Sequence, residues 1–223
     1  MFPIAKTQQE SSGRTTAAED GRRFLCSSCR ESTEQIIARK LVYMAVTGGE
    51  PLLVFDEIKP CIEKIINAGT RVSVSSNGTL ITEEIAEFYA RNNIDTVISF
   101  PSINPEICDA VCGSLGVVSK VKNSIEILKR HNVKATINIV LTKLNLPSLW
   151  ETLKAVKEWG LTARIGIAQR PINASDEYMR YELSREDFRH IVRECIRAKR
   201  ELLLDVDHLS AYLTARLTRR KNI

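Results

Sequence analysis

The chain contains 223 residues, with 32 lysine and arginine residues against 27 acidic residues, which gives a formal net charge of +5 at pH 7. Hydrophobic residues make up 43% and charged residues 26%, which is ordinary for a globular protein and excludes disordered, collagen-like and disulfide-scaffold classes. Arg216, Arg219, Arg220 and Lys221 account for most of this net charge, which would be +1 without them. Because such a short run is typical of a solvated terminal helix, we expect no nucleic-acid partner.

The N-terminal part of the chain indicates where the protein works. Residues 1–23 are polar and lack the apolar core of a secretory signal, so they predict a loose N-terminal segment. No apolar run in the chain approaches the roughly 18–20 residues that span a bilayer. We therefore expect a cytoplasmic protein without a membrane partner.

Beyond residue 23, short apolar runs alternate with segments of helical periodicity. Strands are expected at 41–46, 71–75, 96–100, 134–141 and 164–168, and helices at 33–40, 55–67, 82–91, 117–131, 149–159, 184–203 and 208–220. Five strands separated by helices require parallel pairing through helical crossovers. Periodicity alone leaves open a doubly wound sheet or a full or partial βα barrel. Both architectures place functional residues in the loops that follow the strands.

Two sequence motifs carry candidate chemistry. Cys26 and Cys29 form a CxxC pair, which could bind a metal ion or one edge of a cluster, act as a redox dithiol, or simply be buried. The segment TGGEPLL at 47–53 follows an expected strand. Its glycines allow a ligand to approach the backbone, and Glu50 adds a carboxylate that could accept a hydrogen bond from an ammonium group. Alone, this segment is more typical of a tight turn with an incidental glutamate.

Taken in order, the motifs resemble the radical SAM superfamily. The cysteine pair is followed by TGGEPLL at 47–53 and by SNGTL at 76–80. Three later segments are similar to the exits of that family's fourth, fifth and sixth strands: ISFPSINPEICDAVCG at 98–113, INIVLTKLN at 137–145 and AQRP at 168–171. The resemblance covers residues 24–175 and is greatest to the branch that modifies peptides or matures cofactors.

The resemblance implies a partial (β/α)6 barrel over residues 24–183, followed by C-terminal helices over 184–223. In that family, three cysteines of a CxxxCxxC loop hold a 4Fe–4S cluster, and S-adenosylmethionine (SAM) binds the remaining iron. Reductive cleavage of SAM then yields a radical that abstracts a substrate hydrogen. The implied partners are an electron donor such as flavodoxin or ferredoxin and a peptide or small-molecule substrate.

The same resemblance supplies the candidate site residues. Gly48, Gly49, Glu50 and Pro51 match the segment whose backbone carbonyls would meet the SAM ammonium group. The other cofactor-binding candidates are Asn77, Ser99, Asn138, Gln169 and Arg170, and the candidate metal ligands are Cys26 and Cys29. An arginine suits a carboxylate because it can bind both oxygens. Asn77 and Asn138 are equally compatible with capping a loop and a strand end.

The sequence departs from the family at the front of the barrel. The first cysteine of CxxxCxxC would stand at position 22, which is Arg22. Only 18 residues lie between Cys29 and Gly48, so the helix at 33–40 would be short, and 21–25 is the only candidate for a preceding strand. We therefore expect a barrel that is trimmed at its N-terminal side and has two cluster ligands where the family has three.

Two alternatives to a radical SAM enzyme stay open. A non-catalytic descendant would keep the barrel and bind SAM or a peptide, which the missing cysteine favours. A zinc-stabilised binding module would need Cys108 and Cys112 to lie near Cys26 and Cys29. The CxxxC spacing suits one helical turn, but a pair of small buried cysteines is the simpler interpretation of Cys108 and Cys112.

Overall fold

The structure, a computed structural model, describes residues 27–168 and 176–207. These residues form a parallel sheet with helices packed against it. The strands are β1 (Tyr43–Val46), β2 (Arg71–Ser76), β3 (Asp95–Ser99), β4 (Ala135–Leu141), β5 (Thr162–Ile167) and β6 (Val206–Asp207). The helices are α1 (Ser27–Ala38), α2 (Phe55–Asn67), α3 (Glu83–Arg91), α4 (Pro105–Cys112), α5 (Val117–Arg130), α6 (Leu149–Glu158) and α7 (Arg185–Glu201), with 3-10 turns at Pro51–Val54, Leu146–Ser148 and Asp176–Tyr181.

The order of the strands decides between the architectures that the sequence leaves open. The strands follow one another across the sheet in chain order, and each neighbouring pair is parallel. Right-handed crossovers between sequential neighbours place the connecting helices on one face of the sheet. A doubly wound sheet would instead reverse its strand order at a switch point. The fold is therefore a βα barrel left open between its first and last described strands, as the expected partial barrel requires.

Burial alternates along β3 and β4, so that, among the described residues, one face of the sheet is covered by helices and the other is open. Ile98, Ile137 and Ile139 are fully buried in the core beneath the helices. Ser99 and Val140, which alternate with them, are exposed. This alternation leaves an uncovered face of the sheet on which ligands can be bound.

The five expected strands are confirmed, with ends that shift by one or two residues. Helix α1 differs from expectation, because it begins at Ser27 and spans 12 residues, so that Cys29 is helical. Strand β6 was not expected, since two residues are too few to show a period, yet it pairs with β5. The sixth strand of the described sheet is thus β6, at its C-terminal side. The candidate strand at 21–25 lies outside the described residues.

Helix caps that the sequence indicates are confirmed. The Ile85 amide donates to the Thr82 hydroxyl at 3.3 Å. Ser184 and Asp187 form a reciprocal capping box, in which each backbone amide donates to the other residue's side chain, at 3.1 and 2.8 Å. The segment at 1–23 and the expected helix at 208–220 lie outside the described residues. Of the described helices, none is both long and apolar enough to cross a membrane.

Candidate functional site

A cavity of about 390 Å³ opens at the carboxyl ends of the central strands, a volume within the range of small-molecule sites. Parallel strands present their following loops at this end, which is where barrel proteins bind ligands. The polar residues that line the cavity are Asn77, Thr79, Ser99, Cys112, Ser114, Asn138 and Thr142, and the remaining wall is formed by Phe100, Pro101, Val111, Val117, Val140 and Ala168. The cavity therefore brings together three of the predicted site residues, Asn77, Ser99 and Asn138.

Ser99 and Asn138 lie side by side at the floor of this cavity. They are register partners on β3 and β4. Ser99 is exposed and Asn138 half-buried, and no hydrogen bond from either side chain occurs among the described residues. Two neighbouring polar groups with unused hydrogen-bonding capacity, set in a largely apolar wall, are typical of a site that orients a polar ligand.

Asn145 fixes the loops on the far side of the cavity, although sequence reasoning did not identify it. Its side chain is fully buried and donates to the carbonyl oxygens of Pro101 and Val140, both at 3.0 Å. The Asn145 amide oxygen accepts from the Thr142 backbone at 2.8 Å. One side chain thus connects the loop after β3 to the end of β4 and its following loop through three hydrogen bonds. The motif INIVLTKLN contains Asn145, but its partners become evident only in three dimensions.

The carboxylate of Glu50 connects the loops after β1 and β2. Its Oε1 accepts from the Ser76 hydroxyl at 2.8 Å and from the Leu52 amide at 3.1 Å, and its Oε2 accepts from the Asn77 amide at 2.7 Å. Two carboxylate oxygens offer about four acceptor positions, and these hydrogen bonds within the protein use three of them. Glu50 therefore acts first as a brace that holds Asn77 at the cavity. A contact between Glu50 and an ammonium group stays a prediction.

The two glycines before Glu50 leave open space beside the backbone. A Cβ atom built on Gly48 or Gly49 would have no neighbour within 4 Å. Gly48 also has a φ of +148°, which side chains rarely adopt. Gly48, Gly49, Glu50 and Pro51 do not line the cavity themselves; their link to it is the hydrogen bond from Asn77 to Glu50. The exposed glycine backbone fits a site that a ligand approaches closely.

Asn77 has a structural role of its own. Its side-chain oxygen accepts from the backbone amide and the hydroxyl of Thr79, at 2.8 and 2.7 Å. The Asn77 side chain therefore caps its own loop, as the sequence allows, while the residue also lines the cavity. Gln169 and Arg170 lie outside the described residues, but the preceding residue, Ala168, lines the same cavity.

Cys108 and Cys112 lie about one helical turn apart on α4, at the cavity rim. Cys108 is fully buried, whereas Cys112 is exposed and lines the cavity. The interaction with the Cys112 thiol, together with burial, raises the pKa of Cys108, and the same interaction lowers the pKa of Cys112. The interpretation of both cysteines as buried is thus wrong for Cys112, because α4 ends there and its last turn faces the cavity.

A model of the family described as the radical SAM superfamily matches residues 13–156 of this sequence. This chain belongs to the radical SAM superfamily. The match covers more than half of the chain and includes β1 to β4 with their loops. The family resemblance carried by the sequence motifs is thereby confirmed.

Two relatives are similar to most of this chain. The chain is 25% identical over 185 residues to the AdoMet-dependent heme synthase of Methanosarcina barkeri, covering 81% of this chain and 51% of that protein. It is 28% identical over 153 residues to mycofactocin maturase MftC of Mycolicibacterium smegmatis, covering 68% of this chain and 38% of MftC. The chain thus spans about half the length, or less, of these relatives.

The solved structure of native anSMEcpe with bound AdoMet and Cp18Cys peptide is similar to this chain, with a TM-score of 0.71 and 20% identity. The similarity covers 82% of this chain and 56% of that chain. At this level of identity the likeness shows the fold alone. It supports the partial barrel, which the strand order had already indicated.

Within a radical SAM barrel, the described cavity fits SAM in its chemistry. Ser99 and Asn138 offer hydrogen-bonding groups without partners in the described part of the chain, and Val117 and Val140 offer apolar contacts for a nucleoside. The backbone at Gly49 is open to an approaching group. These features are what a nucleoside that carries an amino-acid group requires.

The cluster is a different matter, because the described residues do not complete a site for it. Cys29 lies in the first turn of α1, where its carbonyl accepts from the Thr33 hydroxyl at 2.7 Å, and Cys26 lies outside the described residues. Residues 27–168 and 176–207 contain no group of three or more His, Cys, Asp or Glu side chains that could hold a metal ion. Cys108 and Cys112 therefore do not form a metal site with Cys29, and the zinc interpretation gains no support in this region.

Proposed function

We propose that this chain is the SAM-binding barrel of a radical SAM enzyme that abstracts a hydrogen atom from its substrate, in peptide modification or in the maturation of a cofactor. The observation that carries the proposal is the Ser99–Asn138 pair on adjacent strands, with unused hydrogen-bonding groups facing a cavity of about 390 Å³. Its position at the carboxyl ends of the strands is where a barrel places its chemistry. Family membership supplies the identity of the expected ligand.

The residues of this chain would bind and orient SAM rather than react with it. Ser99 and Asn138 would donate to or accept from its polar groups, and the open backbone of Gly48 and Gly49 would receive its ammonium end. Glu50 would help to position these contacts, because its carboxylate accepts a hydrogen bond from the backbone amide of Asn77, which lines the same cavity. When a 4Fe–4S cluster is bound in this family, it supplies the electron that cleaves SAM.

Two observations bear on the substrate class. The names of the relatives include a maturase, MftC, and the similar solved structure contains a peptide. We extend these to the present chain as a proposal, with a peptide or a small-molecule precursor as substrate and flavodoxin or ferredoxin as electron donor. A cytoplasmic location accords with an enzyme that uses such a donor.

A second candidate function is a barrel that binds SAM or a peptide without radical chemistry. Arg22 favours it, because it stands where the family has its first cluster cysteine. The two candidates differ in one measurable property, the presence of a SAM-responsive cluster.

Anaerobic iron–sulfur reconstitution tests the first candidate against the second. The enzyme function predicts about four irons per chain, a reduced EPR spectrum that SAM perturbs, and formation of 5′-deoxyadenosine with dithionite. Cys29→Ala should remove the cluster, while the matched control Cys195→Ala should keep it, since burial raises the pKa of Cys195 to about 12 and keeps its thiol protonated. A protein without iron that still binds SAM would overturn the enzyme function and favour the binding barrel.

A further inference from the structure

A second cavity lies on the same open face of the sheet, toward the amino ends of the strands. It has a volume of about 650 Å³. Residues on the open face of five strands contribute to it, namely Tyr43, Ser73, Asp95, Val97, Thr136, Thr162 and Arg164. Most of these side chains are polar, which is unusual for the inside of a small barrel, where packed aliphatic side chains are typical. The inside of this barrel is therefore built to contact a polar group.

Arg164 is the notable cation in this cavity. It is half-buried, and its Nε is buried without a hydrogen-bond partner in the described part of the chain. The neighbouring hydroxyls of Thr136 and Thr162 are bonded to each other at 3.1 Å. Desolvating a guanidinium is costly unless an acceptor compensates. The arginine thus has hydrogen-bond donors available for a ligand.

The acidic groups near Arg164 do not provide that acceptor. Asp95 pairs with Arg71 at 3.3 Å. Asp207 is the register partner of Arg164 on β6, but it is exposed, and no ion pair joins the two among the described residues. The two lysines at the rim, Lys129 and Lys134, are exposed and stay solvated. Within the described part of the chain, the guanidinium of Arg164 therefore forms no ion pair.

The position of Arg164 connects this cavity to the candidate SAM site. Arg164 is the register partner of Asn138, which is in turn the register partner of Ser99. Neighbouring strands lie about 4.8 Å apart, so the Arg164 backbone is about 10 Å from that of Ser99. A group held by Arg164 would thus lie beside the ligand bound at Ser99 and Asn138, without competing for the same side chains.

We propose that Arg164 is a substrate-positioning residue that binds a carboxylate of the substrate inside the barrel. A guanidinium presents two parallel N–H groups that match the two oxygens of a carboxylate. A single charge at the floor suits a singly charged group better than a phosphate. The reference to a substrate rests on the proposed function, whereas the binding of a carboxylate does not.

Glutarate and its neutral analogue glutaramide are the first probe pair, titrated into the full chain while the Arg164 side-chain Nε–H resonance is followed by NMR. Glutarate should shift this resonance and glutaramide should not. A second pair, acetyl-Gly-Glu-Gly-amide and acetyl-Gly-Gln-Gly-amide, distinguishes a peptide side chain from a free acid as the source of the carboxylate. Equal shifts with the charged and neutral members of both pairs, or tighter binding of orthophosphate than of either acid, would overturn the proposal.

Variants locate the site independently of the resonance. Arg164→Gln should weaken glutarate binding at least about tenfold, Arg164→Lys should restore part of it, and the rim control Lys134→Gln should change it less than about twofold. Asp207→Asn should strengthen binding, because it removes a nearby negative charge. An Arg164→Lys protein that is folded by circular dichroism but binds glutarate as wild type does would refute bidentate recognition.

Equilibrium dialysis with SAM separates this proposal from the proposed function. Arg164→Gln should bind SAM as wild type does, since Arg164 does not line the SAM cavity. Loss of SAM binding in wild type would overturn the proposed function and leave the carboxylate site standing on the NMR result. A wild-type chain that binds SAM but does not bind glutarate would overturn only the role of Arg164.

Discussion

Replacing Glu50 by alanine should destabilise the fold and weaken SAM binding together. The change removes the acceptor for three hydrogen bonds, to the Ser76 hydroxyl and to the amides of Leu52 and Asn77, at 2.8, 3.1 and 2.7 Å. Hydrogen bonds to a charged group contribute about 1.5–3 kcal/mol each when they are buried. Glu50 is half-buried and Asn77 exposed, so water would replace part of this contribution.

The expected loss is about 2 kcal/mol in the free energy of unfolding, because the removed N-cap alone contributes about 1 kcal/mol. For a chain of this size, that corresponds to a fall of about 4–8 °C in Tm. SAM affinity should fall by about tenfold, or about 1.4 kcal/mol, as Asn77 is released from the cavity. Thermal unfolding by circular dichroism and equilibrium dialysis with SAM measure the two effects.

Two further variants sharpen this test. Glu50→Gln keeps the shape of the side chain but places its NH2 group, a donor, against groups that themselves donate to Glu50. Its stability and its SAM affinity should therefore fall as they do in Glu50→Ala. Glu87→Ala removes an exposed glutamate from α3 and should change the free energy of unfolding by less than about 0.5 kcal/mol. If Glu50→Ala unfolds at the same temperature as Glu87→Ala, Glu50 does not brace the two loops and the reasoning fails.

Three other variants test the surroundings of the cavity. Gly49→Val should leave the urea midpoint unchanged, because its Cβ meets no atom within 4 Å, yet should abolish SAM binding; undiminished affinity would remove Gly49 from the site. Gly78→Ala should cost about 2–3 kcal/mol of unfolding free energy, because φ is +72° and the Cβ would lie 2.6 Å from Ile98 Cγ2; a neutral result would contradict that packing. Iodoacetamide should alkylate Cys112 at lower pH than it alkylates an ordinary thiol, because the lowered pKa of Cys112 favours the thiolate. Cys108→Ala should move the midpoint of the pH profile upward, as measured by mass spectrometry of the Cys112 peptide. An unmoved midpoint would refute the interaction between the two thiols.

The strands and the side of the sheet that carries the site follow from the sequence for physical reasons. The runs at 71–75, 96–100 and 134–141 are apolar and short, as buried parallel strands must be. Because parallel strands end at a common edge, Ser99 and Asn138 are expected at the same end, and their register pairing confirms this. The lengths of these apolar runs do not indicate the order of the strands in the sheet. That order alone distinguishes the partial barrel from a doubly wound sheet.

Contacts between distant residues account for most of what the sequence does not predict. The partners of Glu50 lie 26 and 27 residues away, so its role as a brace is hidden until the strands are adjacent. Cys112 turns toward the cavity only because α4 ends there. In the sequence RIGIA, Arg164 is indistinguishable from an ordinary strand residue. Its lack of an ion-pair partner among the described residues becomes evident only when the neighbouring strands are in place. Such features require coordinates because each depends on several elements at once.

Titration of SAM into the anaerobically reconstituted chain tests whether the cavity at Ser99 and Asn138 binds SAM, with Asn138→Leu as the test variant and Asn67→Leu as its control. Asn138 lines the cavity beside Ser99, whereas Asn67 is exposed at the end of α2. We expect one SAM per chain for wild type and Asn67→Leu, and an affinity at least about tenfold weaker for Asn138→Leu. A wild-type protein that does not bind SAM, or an Asn138→Leu variant that binds it equally well, would contradict the assignment of this cavity.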